Sequence, residues 1–338
     1  MLKQLLRAAR GYLVPRAAVL MYHRVAEPAT DAWELAVSPA RFEQQLQVLR
    51  EAAFALLPLP ALVAQVRQGA VPRRAVALTF DDGYADNYHA ARPLLERYGV
   101  PATFFIATGY LEQQREFWWD ELEHLFLEAD PLPAALALPV ADTLVEVNLA
   151  AEQHLSPALR QQHRRWDANH TPPPTARATA YYRVWELLKP LPHEQQQAHL
   201  HALRTWAGLP NRPRPGCLTM TNEELLTLSQ SPLFTIGAHT VTHPALASHP
   251  AAVQAHELRA SRQALREATG GAVSLLAYPY GSYGPTTPGL AADAGFGAAF
   301  TTEAHVVTKR DDPYRLGRFQ VGDWSGDEFR QRLRAWLG

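Results

Sequence analysis

The chain has 338 residues, 47% of them apolar, with a formal net charge of −1 and a single cysteine. Such a length suits one large α/β domain or two smaller ones with a sizeable core. The balanced charge argues against a general nucleic-acid binder. Cys217 alone excludes an internal disulfide, fits a reducing compartment and reads as a small core residue.

Residues 1–16 carry Lys3, Arg7, Arg10 and Arg16 among Leu2, Leu5, Leu6, Tyr12 and Leu13. No uninterrupted apolar stretch with a small-residue cleavage site follows, so no secretory signal is expected. No run approaches the roughly 18 apolar residues of a spanning helix. The segment is expected to form a basic amphipathic helix, packed on the domain or resting on an anionic membrane surface. The expected location is cytoplasmic, with peripheral contact at the inner membrane face as the variant.

Ala17–His23 reads as a first buried strand ending in His23 and Arg24. Ser38-Pro39 has the form of a helix start, and Phe42, Leu46 and Leu49 give that helix an apolar face. A second helix is expected over Leu59–Gln68. Ala75-Val-Ala-Leu-Thr-Phe80 is an unbroken, mostly apolar run that stops at Asp81-Asp82-Gly83. Lack of polar alternation suits a strand covered on both faces, as in a parallel sheet. α/β folds build their sites at the carboxyl ends of such strands. Two adjacent carboxylates there call for a cation or a shared proton; a helix N-cap beside a solvated turn residue would satisfy the same stretch. A helix to Tyr98-Gly99 and a strand Pro101–Ala107 complete a β-α-β rhythm with parallel strands.

Between about 110 and 216 the rhythm breaks into polar, proline-punctuated sequence. Helices are expected over Trp118–Ala129, Ser156–Asn169, Ala176–Leu188 and Glu194–Trp206, with a short strand over Asp142–Asn148. A structureless loop of that length is implausible, so the segment is expected to be a mainly helical insertion with its own structure. Its seven scattered histidines read as surface residues. After Cys217 the alternation resumes. Strands are expected over Phe234–His239, Ser274–Tyr278, Gly297–Thr302 and Tyr314–Val321, and helices over Thr221–Ser229, His249–Thr269, Pro288–Ala294 and Asp327–Leu337. Seven or so strands alternating with helices suggest a barrel.

His239-Thr-Val-Thr-His243 follows another apolar run. Two imidazoles four residues apart face one way on a helix or tight turn and present a nitrogen pair. HxxxH is a weak motif by itself. Joined with Asp82 it becomes two histidines and a carboxylate with open positions, a ligand set of hydrolytic metal sites.

Thr79-Phe80-Asp81-Asp82-Gly83, His239–His243 and Tyr278-Pro279-Tyr280-Gly281, in that order, resemble the first three motifs of the polysaccharide deacetylases, the NodB-homology group or carbohydrate esterase family 4. The resemblance spans roughly residues 17–110 and 217–322 and implies a distorted (β/α)7 barrel. It implies that Asp82, His239 and His243 hold a divalent metal, zinc above others, and that Asp81 is the general base. It implies further that the Tyr280 N–H stabilises a tetrahedral oxyanion, with Pro279 fixing the turn and Gly281 admitting substrate.

The sequence departs from the family pattern where an arginine should begin the third motif; Ala277 stands there. Arg315 or Arg318 from the last strand would replace it, Arg318 being favoured. The fourth and fifth motifs are not recognisable: Asp323-Trp324 is a faint echo of the fourth, and His23 and His305 are candidates for the missing acid. Phe117-Trp118-Trp119-Asp120 would either pack the insertion core or present Trp118 to a sugar ring.

The expected activity is metal-dependent N-deacetylation of an amino sugar, free in an oligosaccharide or linked to a nucleotide or lipid, during glycan biosynthesis. Deformylation or small-amide hydrolysis at the same metal site, and a non-catalytic carbohydrate-binding protein, are the alternatives. A magnesium phosphoryl-transfer site on Asp81-Asp82 is disfavoured by the two histidines.

Overall fold

A computed structural model describes residues 15–338 apart from 53, 114 and 141. The expected amino-terminal helix therefore lies almost wholly outside the described residues. Ten strands matter here: β1 (Ala17–Tyr22), β2 (Ala55–Leu56), β3 (Ala75–Phe80), β4 (Ala102–Ile106), β5 (Ala135–Val140), β6 (Thr143–Asn148), β7 (Phe234–Ala238), β8 (Leu275–Ala277), β9 (Ala298–Phe300) and β10 (Phe319–Gln320).

Seven of them form a parallel sheet in the order β9-β8-β7-β4-β3-β1-β10, with β2 beside the start of β3. Every residue of β1 and of β3 is buried, as their unbroken apolar runs require of strands covered on both faces. The sheet curls until one segment nearly closes it. Leu316 exchanges backbone hydrogen bonds with Ala299 and Thr301 at the β9 edge, and Val321 N–H donates to Met21 of β1. This segment was expected to be a strand over Tyr314–Val321, but only Phe319–Gln320 pairs regularly. A half-closed barrel forces the last strand to serve two edges in turn, so it cannot run straight along either.

Outside the sheet lie α1 (Pro39–Glu51), α2 (Leu59–Gln68), α3 (Arg92–Tyr98), α4 (Trp118–Glu123), α5 (Pro157–Arg165), α6 (Ala176–Leu188), α7 (His193–Ala207), α8 (Asn222–Ser229), α9 (Ala251–Thr269), α10 (Thr287–Asp293) and α11 (Gly326–Leu337). Thr221 and Glu224 close a capping box on α8. Phe80, one residue before the paired carboxylates, stacks between Tyr22 and Phe104, with centroids 5.2 and 5.0 Å away. Burying such a ring is worth ~1.5–3 kcal/mol, and it anchors the loop that leaves β3.

The stretch from α4 to α7 has its own apolar core, including Trp118, Phe126, Tyr181, Val184 and Leu200. The segment expected as a helix to Ala129 ends as α-helix at Glu123 and continues as one wide turn over His124–Glu128. The strand expected near residue 145 has a partner: β5 and β6 form an antiparallel hairpin. β5 escapes detection because Pro139 lies within it, which edge strands tolerate.

Buried Arg177 donates to the carbonyls of Phe126, Ala129, Glu152 and Gln153, at 2.6 to 3.3 Å. His163 corrects the reading of these histidines as superficial. It is fully buried and bridges the Leu127 carbonyl and Thr175 Oγ1, at 2.9 Å each. A ring with both nitrogens satisfied is affordable in a core, and spacing alone does not reveal it.

The helical region is tied to the carboxyl end of the barrel strands through Tyr84, two residues past Asp82. Its hydroxyl donates to Asp120 Oδ2 at 2.7 Å and accepts from Trp119 Nε1 at 2.9 Å. Burial pushes the Asp120 carboxyl up to about 7, against the pull of Arg24 and the Tyr84 hydroxyl. The register of α4 is thus coupled to the loop that carries both carboxylates.

Candidate active site

Asp81-Asp82 leave β3, His239 leaves β7 and Tyr278 leaves β8, so three loops meet at the carboxyl end of one parallel sheet. Among the described residues, four of the seven non-glycine residues with positive φ lie in these loops: Asp82 (74°), Thr240 (66°), His243 (57°) and Tyr280 (56°). Strained backbone of this kind costs of order 1–3 kcal/mol per residue and persists where surroundings over-determine it. Gly281 has no alternative, because a Cβ there would lie 2.2 Å from Thr302 Oγ1.

The structure brings Asp82, His239 and His243 together. Asp82 Oδ1 lies 3.4 Å from His239 Nε2 and 3.2 Å from His243 Nε2, and the two Nε2 atoms are 3.1 Å apart. All three side chains are buried. Asp82 Oδ1 accepts no well-formed hydrogen bond although it is shielded from water. An oxygen and two nitrogens converging there, one of them otherwise orphaned, fit a divalent cation.

Neighbours fix how the two imidazoles face. His239 Nδ1–H donates to the Ala277 carbonyl at 2.9 Å, which leaves the lone pair on Nε2. Burial holds the His243 ring down to about 4 despite Asp82 beside it, so it is neutral at pH 7. Glu257 of α9 pins the intervening turn, accepting from Val241 N–H at 2.7 Å, Thr242 N–H at 2.9 Å and the Thr242 hydroxyl at 2.7 Å. This residue was missed: it lies fourteen residues beyond His243 in a helix whose charges otherwise read as a solvated face.

Asp81 is held differently. Arg318 Nη1 and Nη2 each donate to one of its oxygens at 2.7 Å, a bidentate pair with both partners buried. Arg318 also donates to Thr79 Oγ1 at 3.1 Å and to the Thr301 carbonyl at 3.0 Å. Burial would push the Asp81 carboxyl up, but the guanidinium overrides it and keeps it below the usual carboxylate range. Arg318 therefore lies where Ala277 leaves no guanidinium. Arg315, in contrast, is exposed and pairs loosely with Asp312 at 3.8 Å.

A cleft of about 230 Å³ opens over these residues, lined among others by His23, Trp33, Trp119, Trp185, Lys189 and Tyr280. The expectation that Trp118 faces substrate is corrected. Trp118 is fully buried, its Nε1 donating to the Tyr280 hydroxyl at 3.2 Å, while Trp119 lines the cleft 4.5 Å from the His243 ring. Successive residues of a helix point about 100° apart, so only one indole could face out. Pro279 is buried and shapes the turn through its backbone, so it is not a contact surface.

His23 lines the cleft, whereas His305 packs against Gly317 outside it. Asp323 accepts from the Ser38 N–H and hydroxyl, and Trp324 packs on the barrel core, so both have structural work away from the cleft.

A model of the polysaccharide deacetylase family matches residues 68–129 and 181–299, more than half of the chain. A poly-beta-1,6-N-acetyl-D-glucosamine N-deacetylase of Staphylococcus aureus is 35% identical over 78 residues, covering 23% of this chain and 27% of that protein. The chain thus aligns with little more than a quarter of that relative's length. Among solved structures, IcaB from Ammonifex degensii superposes with a TM-score of 0.60 at 19% identity, covering 96% of this chain and 98% of that one. A Streptococcus pyogenes deacetylase, PplD, solved with acetate, gives a TM-score of 0.55 at 19% identity, covering 95% and 99%. Identities this low speak for the fold, a (β/α)7-type barrel.

Proposed function

Because the chain belongs to the polysaccharide deacetylase family, we propose that it is a metal-dependent carbohydrate N-deacetylase, removing acetyl groups from an amino sugar in glycan biosynthesis. The observation that carries this reading is one cleft in which Asp82, His239 and His243 converge while a separate carboxylate, Asp81, is held beside them by Arg318. A carbohydrate-binding protein has no need of that second, guanidinium-locked carboxylate.

Asp82, His239 and His243 would hold the ion, with zinc favoured by the nitrogen-rich set. Bound there, a divalent cation supplies Lewis acidity towards a water and an acyl oxygen. Asp81 takes the proton of the attacking water, and its pairing with Arg318 fixes which way its oxygens face. The Tyr280 N–H, presented by two successive left-handed residues, Tyr280 and Gly281, donates to the developing oxyanion. The proton that Asp81 has taken passes to the departing nitrogen, so acetate and a free amine leave; His23, held below its ordinary range by burial, lines the cleft beside them. Trp119 and Tyr280 wall the site with apolar rings and exclude bulk water.

The lone cysteine is buried, with its thiol pushed up to about 12, so it plays no part in this chemistry. It is the basis for favouring a reducing, cytoplasmic setting. No helix among the described residues is long and apolar enough to cross a membrane.

The substrate panel that tests the reading pairs N-acetyl with N-formyl glucosamine oligomers and measures released acid. Acetate release exceeding formate release is expected. Formate alone would move the chain to deformylation, and neither acid, with sugar still bound, would make it a binding protein.

A further inference from the structure

The helical region contributes more than a wall. Trp185 near the end of α6 and Lys189 just after it stand four residues apart, so both reach the cleft from the same side. The Lys189 ammonium lies 4.8 Å from the Trp185 ring and 4.9 Å from the Tyr280 ring. Tyr280 in turn lies 4.5 Å from the His243 ring, so the ammonium stands one aromatic ring removed from the metal ligands.

Among the described residues, Lys189 is the only lysine or arginine lining the cleft and forms no ion pair. The carboxylates of the cleft are engaged elsewhere: Asp81 holds Arg318, and Asp82 faces the two histidines. Glu186, its nearest acidic influence, lies on the exposed face of α6. A half-buried ammonium loses hydration and regains part of that loss from aromatic faces. Without a carboxylate it keeps an unspent positive charge directed over the substrate floor.

We propose that Lys189 is a specificity residue that reads an anionic oxyacid group, phosphate or carboxylate, carried on or next to the N-acylated sugar. The proposal rests on the deacetylase reading for the sugar, while recognition of the anion is independent of turnover. Lysine suits this role as a compact point charge on a flexible stem, able to meet a tetrahedral phosphate or a planar carboxylate. The Trp185 and Tyr280 rings flank the ammonium itself, so less freedom is lost on binding than for a lysine free in solvent.

The test is a tryptophan-fluorescence titration of the whole protein with N-acetylglucosamine, N-acetylglucosamine 1-phosphate and N-acetylmuramic acid, because Trp185 reports on the ammonium resting against it. At least one of the two anions is expected to bind about tenfold or more tightly than the neutral sugar, as a charge-assisted contact allows. The anion that does so names phosphate or carboxylate as the source. Lys189→Met, which keeps the apolar stem, should erase that preference; Lys189→Arg should keep most of it, and raised salt should shrink it. Equal affinity for all three sugars, no binding of either anion, or a preference that survives in Lys189→Met would overturn the proposal. Loss of acetate release with the anion preference intact would instead count against the deacetylase reading alone.

Discussion

Replacing Arg318 by alanine should lower turnover by a factor of about 10²–10⁴, the contribution of a well-placed proton-transfer group, while leaving the metal ligands in place. Arg318 is fully buried and spends both Nη atoms on Asp81. Removing it leaves a shielded carboxylate with no counter-charge, one residue from Asp82. Breaking one partner of a buried pair costs ~3–5 kcal/mol, so chemical denaturation should register a loss of that size. Two companion variants separate geometry from charge. Arg318→Lys keeps the charge but not the two-pronged contact and should recover stability better than turnover. Arg318→Met combined with Asp81→Asn removes both charges of this pair and should be more stable than Arg318→Ala while remaining inactive. Turnover within threefold of the wild type in Arg318→Ala would remove this pair from the mechanism.

Asp81→Asn is the second large effect. The amide has the shape of the carboxylate and still accepts from one Arg318 Nη through Oδ1, but its Nδ2 faces the other donor. The buried guanidinium loses its counter-charge, so a stability loss of up to ~3–5 kcal/mol is expected with the metal ligands untouched. The amide cannot take a proton from water, and turnover should fall about 10²–10⁴-fold. Because Asp82, His239 and His243 are untouched, metal content after purification should equal that of the wild type. Metal analysis beside a single-turnover assay checks both halves. Activity near wild type would make Asp81 a structural partner of Arg318 only; loss of metal together with activity would mean that the two adjacent carboxylates act as one ligand group.

The centre of the site was legible because each of its parts interrupts an apolar run. Asp81-Asp82 end a strand with no polar residue inside it except Thr79, and His239 ends another. Where strands are parallel, such interruptions fall at the same end of the sheet. Even Arg318 was traceable, through the resemblance: the family's third motif begins with an arginine, Ala277 stands at that position, and the last strand offers Arg315 and Arg318 in its place. The choice between Trp118 and Trp119 was not, because it turns on the rotation of α4, which Tyr84 and Asp120 set through contacts from another part of the chain.

The same holds for Trp185 and Lys189, which join the cleft only through the docking of the helical region on the barrel. Neither helical spacing nor composition encodes where a helix docks. Glu257 shows the other limit. One buried glutamate among the charges of α9 looks like its exposed neighbours until the turn it holds is seen. The close packing of His163 and the hairpin across Pro139 escaped for like reasons: hydrogen-bond partners distant in sequence made an unfavourable local choice acceptable.

Calorimetric titration of chelator-treated protein with zinc, run in parallel on Asp82→Ala, addresses the site at its root. The geometry predicts one ion bound per wild-type chain and no saturable binding in Asp82→Ala, with acetate release returning only in the reloaded wild type. A wild-type protein that takes up no divalent cation, or an Asp82→Ala protein that binds one as tightly, would contradict it.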